Sequence, residues 1–208
     1  LALQLISHMD GRIDKENVTQ FIAAYQTVET LMLGELWAFP IMLQLALLEN
    51  LRRVALRIAR RREELNAATS WADRMLTTAE SEPKQLIQLL AEFANADVPL
   101  TAPFVEEFYA RLQAQGPAMA FVQTWVEQKL LEQGVTAAQL SEAAGRTAAT
   151  NQISIGNSIG SLRFIGAMDW RDYVESLSVV EQTLREDPAG MHASQDFATR
   201  DRYRHVVE

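Results

Sequence analysis

The sequence contains no cysteine. That absence closes disulfide stapling, thiol nucleophiles and cysteine-ligated metals, and it fits a reducing compartment. Proline and glycine are scarce, six and nine residues in 208, which argues against a β-sandwich and against long disordered linkers. No run of about 18 apolar residues occurs, so no stretch reads as a membrane-spanning helix, and none has the pattern of a signal peptide. A basic surplus is missing too. Nineteen Lys and Arg stand against 27 Asp and Glu, a net charge of -8. Phosphate backbones require a basic surface, so nucleic acid is not an expected partner.

Catalytic spacings are also lacking. His8, His192 and His205 lie far apart, without a His-Glu-x-x-His or Glu-x-x-His pattern. No metal site, no cofactor and no catalytic residue is expected, and no hydrolase nucleophile elbow. Gly156-x-x-x-Gly160 lacks the lysine and preceding strand of a phosphate loop and reads as a site of close helix packing. Asp169, Asp172 and Glu175 share one side of a helix start, where the helix dipole favours negative charge without any acid–base role. Trp37, Trp71, Trp125 and Trp170 all sit on apolar faces and read as core.

What is present is helical patterning. From Leu36 to Leu48 nearly every position is apolar, interrupted by Gln44, which predicts a helix buried on all sides. Beyond it Leu47, Leu51, Val54 and Ile58 recur at helical spacing, with Glu49, Arg53, Arg57 and Arg60 opposite. Pro40 is expected in the first turn of this helix or at a kink, and a break is expected near Asn66. Before it, Asn17 reads as an N-cap followed by Phe21, Ile22, Tyr25 and Val28. After it come a helix opened by Pro83 with Leu86, Leu89, Leu90 and Phe93 inward, and one capped by Thr101 with Phe104, Phe108 and Leu112. A third is opened by Pro117 with Phe121, Trp125, Val126 and Leu130 inward. Thr136 and Gln139 form a capping box. Ala143, Ala144, Ala148 and Ala149 would admit a close helix. Residues 151–156 alternate briefly as a strand does, but Ile155, Ile159, Leu162 and Gly166 restore helical spacing. Asp169 caps one helix carrying Tyr173, Leu177, Val180 and Leu184, and a last helix begins at Phe197. The expected fold is all-α, an irregular bundle of about seven to nine helices around a long central helix. One domain over 1–208 is expected, with subdivision near 81–83 or 134–136. Leu1 opens in mid-pattern and Glu208 ends inside a helical pattern, so an excised piece of a longer protein is expected.

The densest charge is the arginine run at 52, 53, 57, 60, 61 and 62. Arg53, Arg57, Arg60 and Arg61 are a candidate patch for anionic lipid or phosphate. The competing reading is a solvated helix end supported by Glu49–Arg53 spacing.

Four blocks carry a resemblance: FIAAYQ (Phe21–Gln26), GELWAFPIMLQLALLENLRR (Gly34–Arg53), NSIGSLRFIGAMDWRDYVESLSVVEQTLREDPAG (Asn157–Gly190) and DFATRDRYRHVVE (Asp196–Glu208). They closely resemble the cyclic β-1,2-glucan synthases, very large bacterial inner-membrane proteins. The stretch from Glu63 to Val135 carries little of it. The family pattern puts an aromatic where Met191-His192 stand and a methionine where Gln195 stands. The resemblance implies a cytoplasmic helical module preceding the glycosyltransferase core of an enzyme that builds β-1,2-glucan from UDP-glucose. It implies scaffolding work, with other domains of the parent polypeptide, and the membrane surface, as partners. The alternative is a regulatory binding module for glucan, nucleotide sugar or anionic lipid. An independent helical enzyme would need a concave pocket lined with carboxylates and ranks last. Within Thr199–Arg204, the residues Arg200, Arg202, Tyr203 and Arg204 are the candidate interface, being types enriched at hot spots. The competing reading there is an internal ion-pair network among Asp196, Arg200, Asp201 and Arg204.

Overall fold

A computed structural model describes residues 1–113 and 116–208. Their elements are α1 (Ala2–His8), α2 (Lys15–Gln26), α3 (Leu33–Ser81), a 3-10 turn (Pro83–Gln85), α4 (Leu86–Asn95), α5 (Ala102–Leu112), α6 (Pro117–Glu132), α7 (Ala137–Ala167), α8 (Trp170–Leu177), α9 (Val179–Leu184) and α10 (Phe197–Val207). Among the described residues there is no strand, so the fold is all-α, with one helix more than the expected range. The 151–156 stretch is helix. No helix among them is long and apolar enough to cross a membrane.

Two compact units partition the chain, residues 1–54 with 152–208 and residues 55–151. Both divisions fall inside helices, in α3 and α7. Helix α3 runs unbroken for 49 residues, without the break expected near Asn66. Ala, Leu, Arg and Glu dominate that stretch and are the strongest helix formers. Pro40 lies inside the helix, beyond its first turn.

In the first unit, Leu36, Phe39, Leu43, Ala46 and Leu47 of α3 join Leu5, Ile6, Val18, Ile22, Ile165, Tyr173 and Leu177 in one core. That core lies on one side of α3. Ile41, Met42, Leu45 and Leu48 are 51–61% exposed, which overturns the expectation of a helix buried all round. The α2 cap also differs. Asp14, not Asn17, is the N-cap, and its carboxylate accepts the Asn17 amide at 2.9 Å and the Asn17 side chain at 2.8 Å. The single helix expected after Asp169 is two. Ser178 adopts an extended conformation, ends α8, and accepts the Glu181 amide on its hydroxyl to start α9.

A polar seam pins α7 in this unit. Ser154, Ser158 and Ser161 are buried at i, i+4 and i+7. Asn50 donates to the hydroxyls of Ser154 and Ser158 at 2.9 and 3.0 Å. Ser161 accepts the Ile13 amide and donates to the Gly11 carbonyl, both at 2.7 Å. Gly11 has φ +77°, and a Cβ there would lie 2.5 Å from Ser158 Oγ, so both backbone and space require glycine.

The second unit has an aromatic core. Phe93 is 2% exposed, with Trp71, Phe104, Phe108 and Trp125 ring centroids 5.0–5.9 Å away. Such pairs add stabilisation beyond burial alone. Thr101 occupies the α5 N-cap position, but its hydroxyl donates to Glu64 at 3.0 Å instead of capping. The Thr136–Gln139 capping box forms as expected. Phe121 and Ile58, expected inward, are 56% and 47% exposed. Of the four alanines expected to seat a helix, Ala144 alone is buried. In the first unit, a Cβ at Gly156 or Gly160 would meet no atom within 4 Å, so among the described residues no helix packs closely at either glycine.

Candidate interaction surface

Helix α10 sorts its four candidate residues onto opposite faces. Asp196 sets the start, accepting the Thr199 amide at 2.8 Å. Arg200 and Arg204, one turn apart, then turn inward, while Arg202 and Tyr203 face solvent. Arg204 is 1% exposed and Tyr203 47%. The exposed face continues through Val206 and Val207, 78% and 58% exposed.

Two guanidinium groups one turn apart repel unless acids lie beside them. Glu175 of α8 and Glu181 of α9 are those acids, both buried. Arg204 Nη1 bridges them, 2.6 Å from Glu175 Oε1 and 2.7 Å from Glu181 Oε2. Its Nη2 donates to Asp201 at 3.1 Å. Arg200 grips Glu175 with Nε and Nη2 at 3.0 Å each. Arg185 donates to Glu181 at 2.7 Å. His192 Nε2 lies 3.0 Å from Glu181 Oε2, and the His192 amide donates to Asp187 at 3.3 Å, which ties the 187–195 loop to the cluster. Of the internal network that competed with the interface reading, the Asp201–Arg204 pair is present, while Arg200 pairs with Glu175. Asp196 serves as a cap instead.

Burial pushes the Glu181 carboxyl up, but hydrogen bonds from His192, Arg185 and Arg204 outweigh it and hold it at about 2. Glu175 is likewise lowered, burial being outweighed by Arg200 and Arg204. A concavity of about 470 Å³ does open over Asp172, Glu175, Glu181, Arg185 and Arg200. Carboxylates held ionised and gripped by arginines are poor proton donors at neutral pH. The arrangement is a clamp that fixes α10 against α8 and α9 and presents Arg202 and Tyr203 outward.

The candidate arginines of α3 differ in their partners. Arg52, not Arg53, pairs with Glu49, at 2.7 Å. Arg53 is exposed without an ion pair among the described residues. In the second unit Arg57 donates to Asn151 at 3.0 Å, Arg61 lies 3.7 Å from Glu106, and Arg60 is exposed.

Gly156-Asn157-Ser158-Ile159-Gly160 does spell the Gly-x-Ser-x-Gly of a nucleophile elbow. It lies mid-helix in α7 instead of on a strand-to-helix turn, and Ser158 is buried on Asn50. A nucleophile elbow needs an exposed serine on a strained turn. Among the described residues no group of three or more His, Asp or Glu is placed to hold a metal ion. Sequence reasoning missed Glu181 and His192 as cluster members and took Glu175 for a helix-start charge, whereas it lies beyond the first turn of α8, buried on Arg200 and Arg204. The like-charged pair Arg200–Arg204, one turn apart, was the available signal that acids must lie opposite.

No protein-family model matches the sequence. Over 208 residues, its whole length, the chain is 31% identical to the cyclic beta-(1,2)-glucan synthase NdvB of Rhizobium meliloti (strain 1021). It spans 7% of the length of that protein.

Proposed function

Since the chain belongs, as one segment, to the cyclic β-(1,2)-glucan synthase family, we propose that it is a non-catalytic helical module of a membrane glucosyltransferase. It packs against other domains of the parent polypeptide on the cytoplasmic face and holds them in register. The observation that carries this reading is the two-faced α10. One side is clamped by buried ion pairs, and the other offers Arg202, Tyr203, Val206 and Val207 to solvent. Arg and Tyr beside exposed aliphatics suit a docking surface better than a free solvent face. The docking side chains on this reading are Arg202 and Tyr203, with Arg200 and Arg204 beneath them as positioning residues.

The test is Arg202→Ala with Tyr203→Ala in the full-length synthase. Glucan production should fall at least about tenfold, a typical loss when hot-spot side chains are truncated, while the isolated chain keeps its helical circular dichroism. Unchanged glucan production would overturn the reading.

A further inference from the structure

In the unit formed by residues 55–151, a groove of about 430 Å³ separates α3 from α7, lined by Arg57, Ala143, Arg146, Thr147, Thr150 and Asn151. Its donors are oriented. Asn151 Oδ1 accepts Arg57 Nε at 3.0 Å, which fixes the plane of the guanidinium and leaves both terminal amino groups without a protein partner among the described residues. Because Asn151 uses its oxygen for this bond, its amide N–H pair remains available. Arg146 gives Nη1 to Glu142 at 2.7 Å and keeps Nε and Nη2. The Thr147 and Thr150 hydroxyls donate to backbone carbonyls at 2.9 and 3.0 Å, so they add no donor. Two arginine charges against Glu142 leave the groove cationic in a chain of net charge -8. Ala143 keeps the wall low. Planar guanidinium forks with spare N–H groups match a tetrahedral oxyanion in charge and geometry.

We propose that this groove binds a phosphoryl group, with Arg57 as the oriented fork and Arg146 and Asn151 completing the donor set. The site is independent of the docking reading of α10 and involves none of its residues. The same chemistry is offered by a free phosphate compound or by a lipid headgroup, and the two sources separate experimentally. The 208-residue chain is titrated calorimetrically with inorganic phosphate at constant ionic strength. In parallel it is sedimented with phosphatidylcholine vesicles with and without phosphatidylglycerol. Saturable phosphate binding without vesicle sedimentation assigns the soluble source. Sedimentation that requires phosphatidylglycerol assigns the headgroup. In either case Arg57→Gln with Arg146→Gln should weaken binding at least about tenfold, and Asn151→Ala severalfold. The control pair Arg60→Gln with Arg62→Gln removes equal charge from the same unit and should change it less than about twofold. All these side chains except the half-buried Asn151 are exposed, and unchanged circular dichroism certifies folding. No saturable binding to either probe, or equal losses in the two arginine pairs, overturns the proposal.

Discussion

Residues 55–151 bury no polar or charged side chain among the described residues, whereas residues 1–54 and 152–208 bury eight, among them Glu175, Glu181, His192 and Arg204. The first set closes around stacked aromatics. The second closes around an ion-pair clamp and a serine seam. An apolar core asks mainly for volume and hydrophobicity and accepts repacking. A buried polar network works only when each member finds its partner.

The sharpest way to break this contrast is Glu181→Ala. It leaves Arg204 buried without one of its two buried acids, and unfolding free energy from urea titration should fall by about 3–5 kcal/mol. Replacing the pair together, Glu181→Leu with Arg204→Met, should cost far less, since no charge is then stranded. In the aromatic unit Phe93→Ala should cost about 3 kcal/mol, the low end for such a truncation because half-buried Trp71 and Trp125 can lean into the gap. Gly11→Ala should cost about 2 kcal/mol, combining strain at positive φ with the clash on Ser158. The smallest effect is expected from Arg111→Ala. Its pairs with Asp73 and Glu107 lie on the surface of the aromatic unit, so the loss should stay below about 1 kcal/mol.

Legibility differed from element to element in both units. Pro83, Pro117, Gly134 and the Thr136–Gln139 box marked helix ends by local stereochemistry, and those elements stand close to where they were expected. The stretch ISIGNSIGS read ambiguously because its inward positions are serines, so apolar periodicity was inverted there. The α3 stripe Ile41–Leu48 misled in the other direction, since hydropathy reports what a face tolerates and not whether something covers it. The split at Ser178 was hidden because a serine N-cap looks like any polar residue within an amphipathic run. Arg202 and Tyr203 were legible as surface candidates. Arg200 and Arg204 pointed inward because distant Glu175 and Glu181 draw them there.

The central claim is that ionised Glu181 holds the polar unit together, and its pH dependence tests this most directly. A carboxyl whose folded value is lowered to about 2, against an unfolded value near 4.5, contributes stability in full above about pH 4.5. That contribution is lost as pH falls through that value toward about 2, and it amounts to roughly 3 kcal/mol. Urea unfolding of the wild-type chain and of Glu181→Gln, followed from pH 7 down to pH 3, isolates that contribution, because glutamine cannot titrate. The stability gap between the two proteins should be widest at neutral pH and shrink steadily below about pH 4.5. A gap that stays constant across the range would contradict the account.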